Sequence, residues 1–229
     1  MTHAECVAYH HQVHGRISRE MPLTLRQYMQ NHVFDAAFGS RLEPAHGQVV
    51  ARDSISELYW DDADGMRATF AHEHVREKVG PDGPNFGDVS TTANLVAHEV
   101  ELTVPKPGHG DAKVLHFLRA AEGLALPTFF ERWIAAHEHA IAQAPAAAAH
   151  VCRAVQNRQI PEANPMLKYF GSHEVPYEGV AALWYEDEAR IGLFWDYEAA
   201  LLEFNADPAR AFYSPGSSFF VYAREARIL

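Results

Sequence analysis

With 229 residues, 48% of them hydrophobic, the chain can bury one large core or two of about 110 residues each, which excludes an intrinsically disordered protein. Its formal charge of -11, with no Lys/Arg stripe, repels a phosphate backbone, so nucleic acid is not an expected partner. No run of 18 apolar residues occurs, so no membrane-spanning segment is expected.

The N-terminus, "MTHAECVAYHH", lacks the charged start and apolar stretch of a signal peptide. The two cysteines, Cys6 and Cys152, form no CxxC pair, which points to a reduced, cytoplasmic protein without disulfides. "THAE" (Thr2 to Glu5) reads as a capping box that opens a helix. That helix carries "YHHQVHG" (Tyr9 to Gly15), with three histidines in seven residues. His10 and His14 are four apart and share a face, as zinc ligands often do, but the intervening Glu of a zincin is absent, and no metal is expected. His14 is read as lying at the helix end, where the dipole would favour the imidazolium and raise its pKa. His10 is read as its helper, one turn back, and His11 as a surface residue.

"YMQNHV" (Tyr28 to Val33) and "ISELYW" (Ile55 to Trp60) follow as strands, then an acidic turn "DDADGM", then "DGPNFGD" and the strand "LVAHEVEL". "VPKPGHGD" (Val104 to Asp111), with two prolines and two glycines, is the expected linker. The second half reads as strand (Ala112 to Ala120), helix (opening at Pro127 and Thr128, to about Ala142) and strand (Ala148 to Asn157). A strand (Gly179 to Asp187), a helix (Arg190 to Phe204) and a strand (Ser217 to Leu229) complete it. That is the βαββαβ order of a ferredoxin-like unit.

The halves match in order. "CVAYHHQVH" lies on "FFERWIAAH" (Phe129 to His137), and "YMQNHV" on "AVQNRQ" (Ala154 to Gln159). "ISELYW" lies on "VAALWY" (Val180 to Tyr185), and Phe86/Glu99 on Phe212/Glu225. A second register, which sets His11 on His137, also aligns "THAE" with "TFFE" (Thr128 to Glu131). The chain is therefore expected to hold two units, residues 1–104 and 112–229. Nothing in the sequence before Thr2 could supply the first unit's opening strand. Either the natural start lies upstream or the sheet is completed differently, by an insertion at Phe38 to Arg52 or by a second subunit; a homodimer is expected.

The first helix resembles the opening helix of EthD-like proteins: a Thr, an anchor, an aromatic pair, then a His followed by a small residue, here His14 before Gly15. "YMQNHV", "ISELYW" with "DDADGM", and "DGPNFGD" resemble that family too, although Cys6 stands where it usually has Phe. The resemblance implies an α+β fold, a dimeric α+β barrel built within one chain from two tandem ferredoxin-like units, the first without its opening strand. It also implies a hydrophobic small-molecule substrate, aromatic or terpenoid-like. The related methylmuconolactone isomerases are similar in placing a working His near His14.

The expected catalytic residues are His14, its repeat mate His137, and Asn31; Tyr28, Gln30, Trp60, Asn157, Trp184 and His10 are the expected substrate contacts. A His close to neutral pH suits general acid/base work, an amide can orient a carbonyl, and aromatic side chains line apolar pockets. Two function classes follow. One is a lyase, dehydratase or isomerase without metal or other cofactor; the other is a non-catalytic binding protein of an oxidative degradation pathway. Fold does not choose between them.

Overall fold

The computed structural model describes residues 1–35, 52–88, 92–171 and 177–229. The first helix opens on the capping box: Thr2 N donates to Glu5 Oε2 at 2.8 Å and Glu5 N donates to Thr2 Oγ1 at 3.3 Å. α1 (His3–Tyr9) runs into a π-helical turn (His10–His14) and on into α2 (Gly15–Glu20). His14 is thus not at a helix end; six more helical residues follow it. β1 (Gln27–Asp35), β2 (Ser54–Tyr59) and α3 (Ala63–Ala71) come next. A second π-helical turn (Val75–Val79), α4 (Gly80–Asp82) and a 3-10 turn (Gly83–Asn85) lead to β3 (Ala97–Leu102).

The second half holds β4 (Ala112–Leu118), α5 (Leu126–Gln143), α6 (Pro145–Ala148), β5 (Val151–Gln159) and β6 (Gly179–Tyr185). It ends with α7 (Glu188–Ile191), α8 (Phe194–Asn205) and β7 (Phe219–Arg227). α5 starts two residues before Thr128, with Ala125 as its N-cap and no side-chain cap, so "TFFE", which the second register aligns with "THAE", forms no capping box. Pro127 in the first turn fixes the start instead, because its missing N–H would have no helical partner there.

The seven strands among the described residues form one antiparallel sheet in the order β2-β1-β7-β4-β6-β5-β3. The sheet curls, and its two end strands meet through side chains: Tyr59 on β2 donates to Glu99 Oε1 on β3 at 3.1 Å. Strand pairing recurs with a fixed offset. Asn31 lies opposite Glu225 between β1 and β7; Asn157 lies opposite Glu99 between β5 and β3, each 126 positions from its counterpart (157 less 31, 225 less 99). The Asn31 amide donates to Ile55 O at 3.2 Å, and the Asn157 amide to Val180 O at 3.2 Å. Asp62 and Asp187 both cap the helix after their strand.

Successive strand residues point to opposite faces, and this sorts the core. The face under α5 and α8 buries Val114, Leu118, Phe129, Trp133, Phe194 and Phe220. The inner face of the curl buries Leu115, Phe117, Val155, Phe219, Val221 and Val33. The linker packs on the sheet: Gly110 lies against the backbone of Tyr185 so closely that any Cβ would collide with it. Of the expected insertion Phe38 to Arg52, all but Arg52 lies outside the described residues. No helix among the described residues is long and apolar enough to cross a membrane.

Candidate functional site

The π-helical turn decides what the histidines meet. In it Gly15 N–H reaches back to His10 O, and Gln30 Nε2 on β1 donates to the same carbonyl at 2.9 Å. Widened turns of this kind recur at functional sites. Gly15 sits against the sheet; a Cβ there would stand 3.3 Å from Ile228 and 3.5 Å from Gln30 Nε2, so the residue after His14 must be small.

His10, 2% exposed, is enclosed by partners. Its Nε2 lies 2.9 Å from Tyr28 Oη and 3.2 Å from Ser56 Oγ, and its Nδ1 bonds Ser54 Oγ. Phe86 stacks on the ring at 4.7 Å and 18°. Burial, followed by the neighbouring imidazoles of His14, His32 and His11, lowers its pKa to about 3. His10 is therefore neutral at pH 7, and its ring belongs to a closed network of Tyr28, Ser54, Ser56 and Gln30. Burial likewise raises the Tyr28 pKa.

His14 has a different setting. Its Nδ1 stands 2.9 Å from Asp82 Oδ2, with side-chain exposures of 12% and 9%. The other oxygen of Asp82 accepts from Tyr9 Oη at 2.8 Å and Asn85 Nδ2 at 3.0 Å. Burial opposes ionisation of Asp82, but the hydrogen bonds from Tyr9, Asn85 and His14 outweigh it and hold the carboxyl below its usual range. With an ionised Asp82, His14 carries its proton on Nδ1 and keeps its Nε2 lone pair, for which no protein hydrogen-bond partner is found among the described residues. Burial lowers the His14 pKa against the opposing pull of Asp82. The sequence reading expected the opposite sign, from a helix end that is not there.

The expected site residues separate. His10, His14, Tyr28 and Gln30 come together between the first helix and the outer face of β1. Asn31 does not: one residue along the strand, it points to the inner face, where its amide donates to Glu57 Oε2 at 2.8 Å. Gln30 and Asn31, adjacent on the strand, thus face opposite sides of the sheet. Asn157 and Trp184 also lie on the inner face, with Lys113 4.3 Å and Arg153 4.4 Å from the Trp184 ring. Trp60 packs away from all of these, on Phe70, and donates to Thr69 Oγ1 at 3.1 Å. His137, 2% exposed, has both nitrogens engaged, Nδ1 2.8 Å from Tyr197 Oη and Nε2 3.0 Å from Thr103 O. His11, read as a surface residue, is half-buried with its ring edge-on to His32 at 5.4 Å.

Asp82, Tyr9, Asn85, Ser54 and Ser56 were missed. Asp82 and Asn85 stand in "DGPNFGD", but 68 positions separate Asp82 from His14, and no local pattern signals their meeting. A separate groove of about 370 Å³ opens between α3 and the 3-10 turns Pro161–Phe170, lined by Arg67, Met166 and Tyr169 among others, and none of the expected site residues lines it. Among the described residues no group of three or more His, Cys, Asp or Glu is placed to hold a metal ion.

No curated protein matches the chain. Residues 1–90, which carry His10, His14, Tyr28, Gln30 and Asp82, match the family model described as EthD domain, so this part of the chain is similar to EthD proteins.

Proposed function

We propose that the chain is a tandem pair of ferredoxin-like units, residues 1–104 and 112–229, forming a dimeric-type α+β barrel within one chain. The recurring register of β1/β7 and β5/β3 supports this, as does the order β7-β4-β6-β5 of the second half, the 4-1-3-2 order of a βαββαβ unit. The first unit is the working one, and it acts on a hydrophobic small molecule by proton transfer at His14.

The observation that carries the reading is the His14–Asp82 pair. A carboxylate on Nδ1 fixes the tautomer that leaves Nε2 as a base, and it stabilises the imidazolium that forms on proton uptake. His14 Nε2 removes a proton from an acidic C–H of the substrate. The imidazolium then returns that proton to another carbon, giving an isomer, or to a leaving group, giving an alkene. The reaction class is isomerase, lyase or dehydratase, and neither route uses a redox step. Asn31, Asn157 and Trp184 lie on the other sheet face, and Tyr28, Gln30 and His10 are buried in their own network, so in this reading these three position the helix that carries His14 and do not touch the substrate.

The test is exchange of carbon-bound protons in D2O, followed by proton NMR with a panel of hydrophobic carbonyl compounds. Exchange accelerated by the wild type and not by His14→Ala supports the reading. Binding of a compound with no acceleration by either protein would leave the non-catalytic binding protein as the function.

A further inference from the structure

β5 carries a cation whose partners are all neutral. Arg158 is half-buried on the helix-covered face of the sheet, opposite His98 on β3 and Gly179 on β6. Its Nε and Nη2 both donate to Gln156 Oε1, at 3.0 and 2.8 Å. The guanidinium carbon lies 5.3 Å from the centre of the Phe130 ring on α5. Arg26, Arg67, Arg153, Arg210 and Arg224 each meet a carboxylate. Arg158 meets none among the described residues, and burial lowers its pKa with no acidic group to oppose it. Gln156 occupies one flank of the guanidinium, so the Nη1–Nη2 end keeps N–H groups without an acceptor among the described residues.

Gln156 supplies a second observation. It is 0% exposed, and while its Oε1 holds Arg158 its Nε2 has no hydrogen-bond partner among the described residues. Its counterpart in β1, Gln30, uses both ends of the amide. Gln30 Oε1 meets His32 Nε2 at 3.1 Å, and Nε2 donates to His10 O in the π-helical turn. α5 is an α-helix throughout, from Leu126 to Gln143, and turns no such carbonyl toward Gln156. A buried donor without an acceptor costs stability. Flipping the amide brings no relief, because Nε2 would then face the N–H groups of Arg158. The core thus tolerates an unsatisfied amide that fixes one guanidinium in place.

We propose that Arg158, Gln156 and Phe130 form a binding site for the carboxylate of a small aromatic acid. The planar Nη1–Nη2 end matches the two oxygens of a carboxylate, and Gln156 holds that plane before the ligand arrives. Rings flank it. Phe130 is half-buried and His98 is exposed, which gives the acid's ring flat surfaces to rest on. Toward β6 the site is closed, since the Trp133 indole fills the space above Gly179, 2.5 Å from where a Cβ would stand. A chain with a formal charge of -11 repels anions at long range, so retaining one requires a local site of this kind. The inference makes no use of His14.

The probes are benzoate and phenylacetate, with benzamide as the neutral control and inorganic phosphate as the tetrahedral anion. Isothermal titration calorimetry with the full chain should show saturable binding of at least one acid. Two-dimensional NMR should place the shifted amides at His98, Phe130 and Gly179. Benzamide and phosphate should bind about tenfold more weakly or worse, and Arg158→Gln should lose a similar factor, the scale of one charge-assisted contact. Arg158→Lys, which keeps the charge without the planar fork, should also bind more weakly, and it serves if Arg158→Gln fails to fold. Gln156→Glu sets a carboxylate of the chain's own on the guanidinium and should abolish binding. The proposal is overturned if neither acid saturates in the millimolar range, if benzamide or phosphate binds as well as the acid, or if the Arg158 variants bind like the wild type. Proton exchange at His14 is read in a separate assay, so either result can stand without the other.

Discussion

His10 and His14 hold their rings 5.6 Å apart on one side of the first helix, yet only His14 touches a carboxylate. Separate partners give the two imidazoles separate duties. Tyr28, Ser54 and Ser56 engage both nitrogens of His10, whereas Asp82 engages one nitrogen of His14 and orients the other.

The first prediction is that His14→Ala lowers turnover by about 10²–10⁴-fold, the usual contribution of a general base, with folding intact. Asp82→Asn should lower it less. It also removes the charge that supports the His14 pKa, so the acid limb of the rate profile should move to lower pH. For the wild type that limb should fall below pH 6.5, since burial lowers the His14 pKa and the base works only when unprotonated. Steady-state rates across pH 4 to 8 check this; an acid limb above 6.5 in the wild type would contradict it.

The second concerns stability and pH. His10 has a folded pKa of about 3 and an unfolded value of 6.5, so the unfolded chain binds the extra proton between those limits. Stability from this group is complete above pH 6.5 and is lost as pH falls toward 3, at about 1.4 kcal/mol per unit. Urea unfolding at pH 7, 6 and 5 should give a falling series. His10→Gln should have a shallower pH slope, and an unchanged slope would remove His10 from the account.

The third separates the two halves. In His137 one nitrogen meets the Thr103 carbonyl and the other Tyr197 Oη, so its ring ties α5 to the segment after β3. His137→Ala leaves those groups buried without a partner and should cost about 1–3 kcal/mol of stability. Turnover per folded molecule should stay within about twofold of the wild type, because such buried partners serve structure. A loss comparable to that of His14→Ala would make the second half catalytic.

How much of this was legible in the sequence depends on the range of each interaction. The capping box at Thr2 and Glu5 was readable because its partners are three residues apart. The strands of the second half were readable from short apolar runs bounded by Gly and Pro. The neighbours Gln30 and Asn31 are a different case: alternation guarantees opposite faces, but only the helix packing shows which of the two meets His10. Helix continuation past His14 was hidden because Gly15 mimics a stop signal, while here it is needed for close approach to Ile228. Asp82 was beyond reach, since its role arises only when α4 is brought against the first helix. Local chemistry can be read; a contact over 68 positions cannot.

The last prediction concerns Lys113, which is 1% exposed and lies on the inner face of the sheet. Its ammonium donates to Glu225 Oε2 at 2.7 Å and to Glu57 Oε2 at 2.5 Å, and it caps the Trp184 ring. Glu57 in turn accepts the Asn31 amide, so one cation organises carboxylates from β2 and β7 and joins the two halves. Lys113→Met keeps the length and the packing on Trp184 but leaves the two carboxylates facing each other without a counter-charge. Removing one partner of a buried pair typically costs about 3–5 kcal/mol, far more than the pair contributes over an apolar replacement. Glu57 and Glu225 retain some access to water, with side chains 15% and 26% exposed, so the low end of that range is expected. Adding Glu57→Gln to Lys113→Met relieves the repulsion and should recover part of the loss. Urea unfolding of the single and double variants checks this. A Lys113→Met protein within about 1 kcal/mol of the wild type, the scale of an exposed pair, would show that water already screens the cluster.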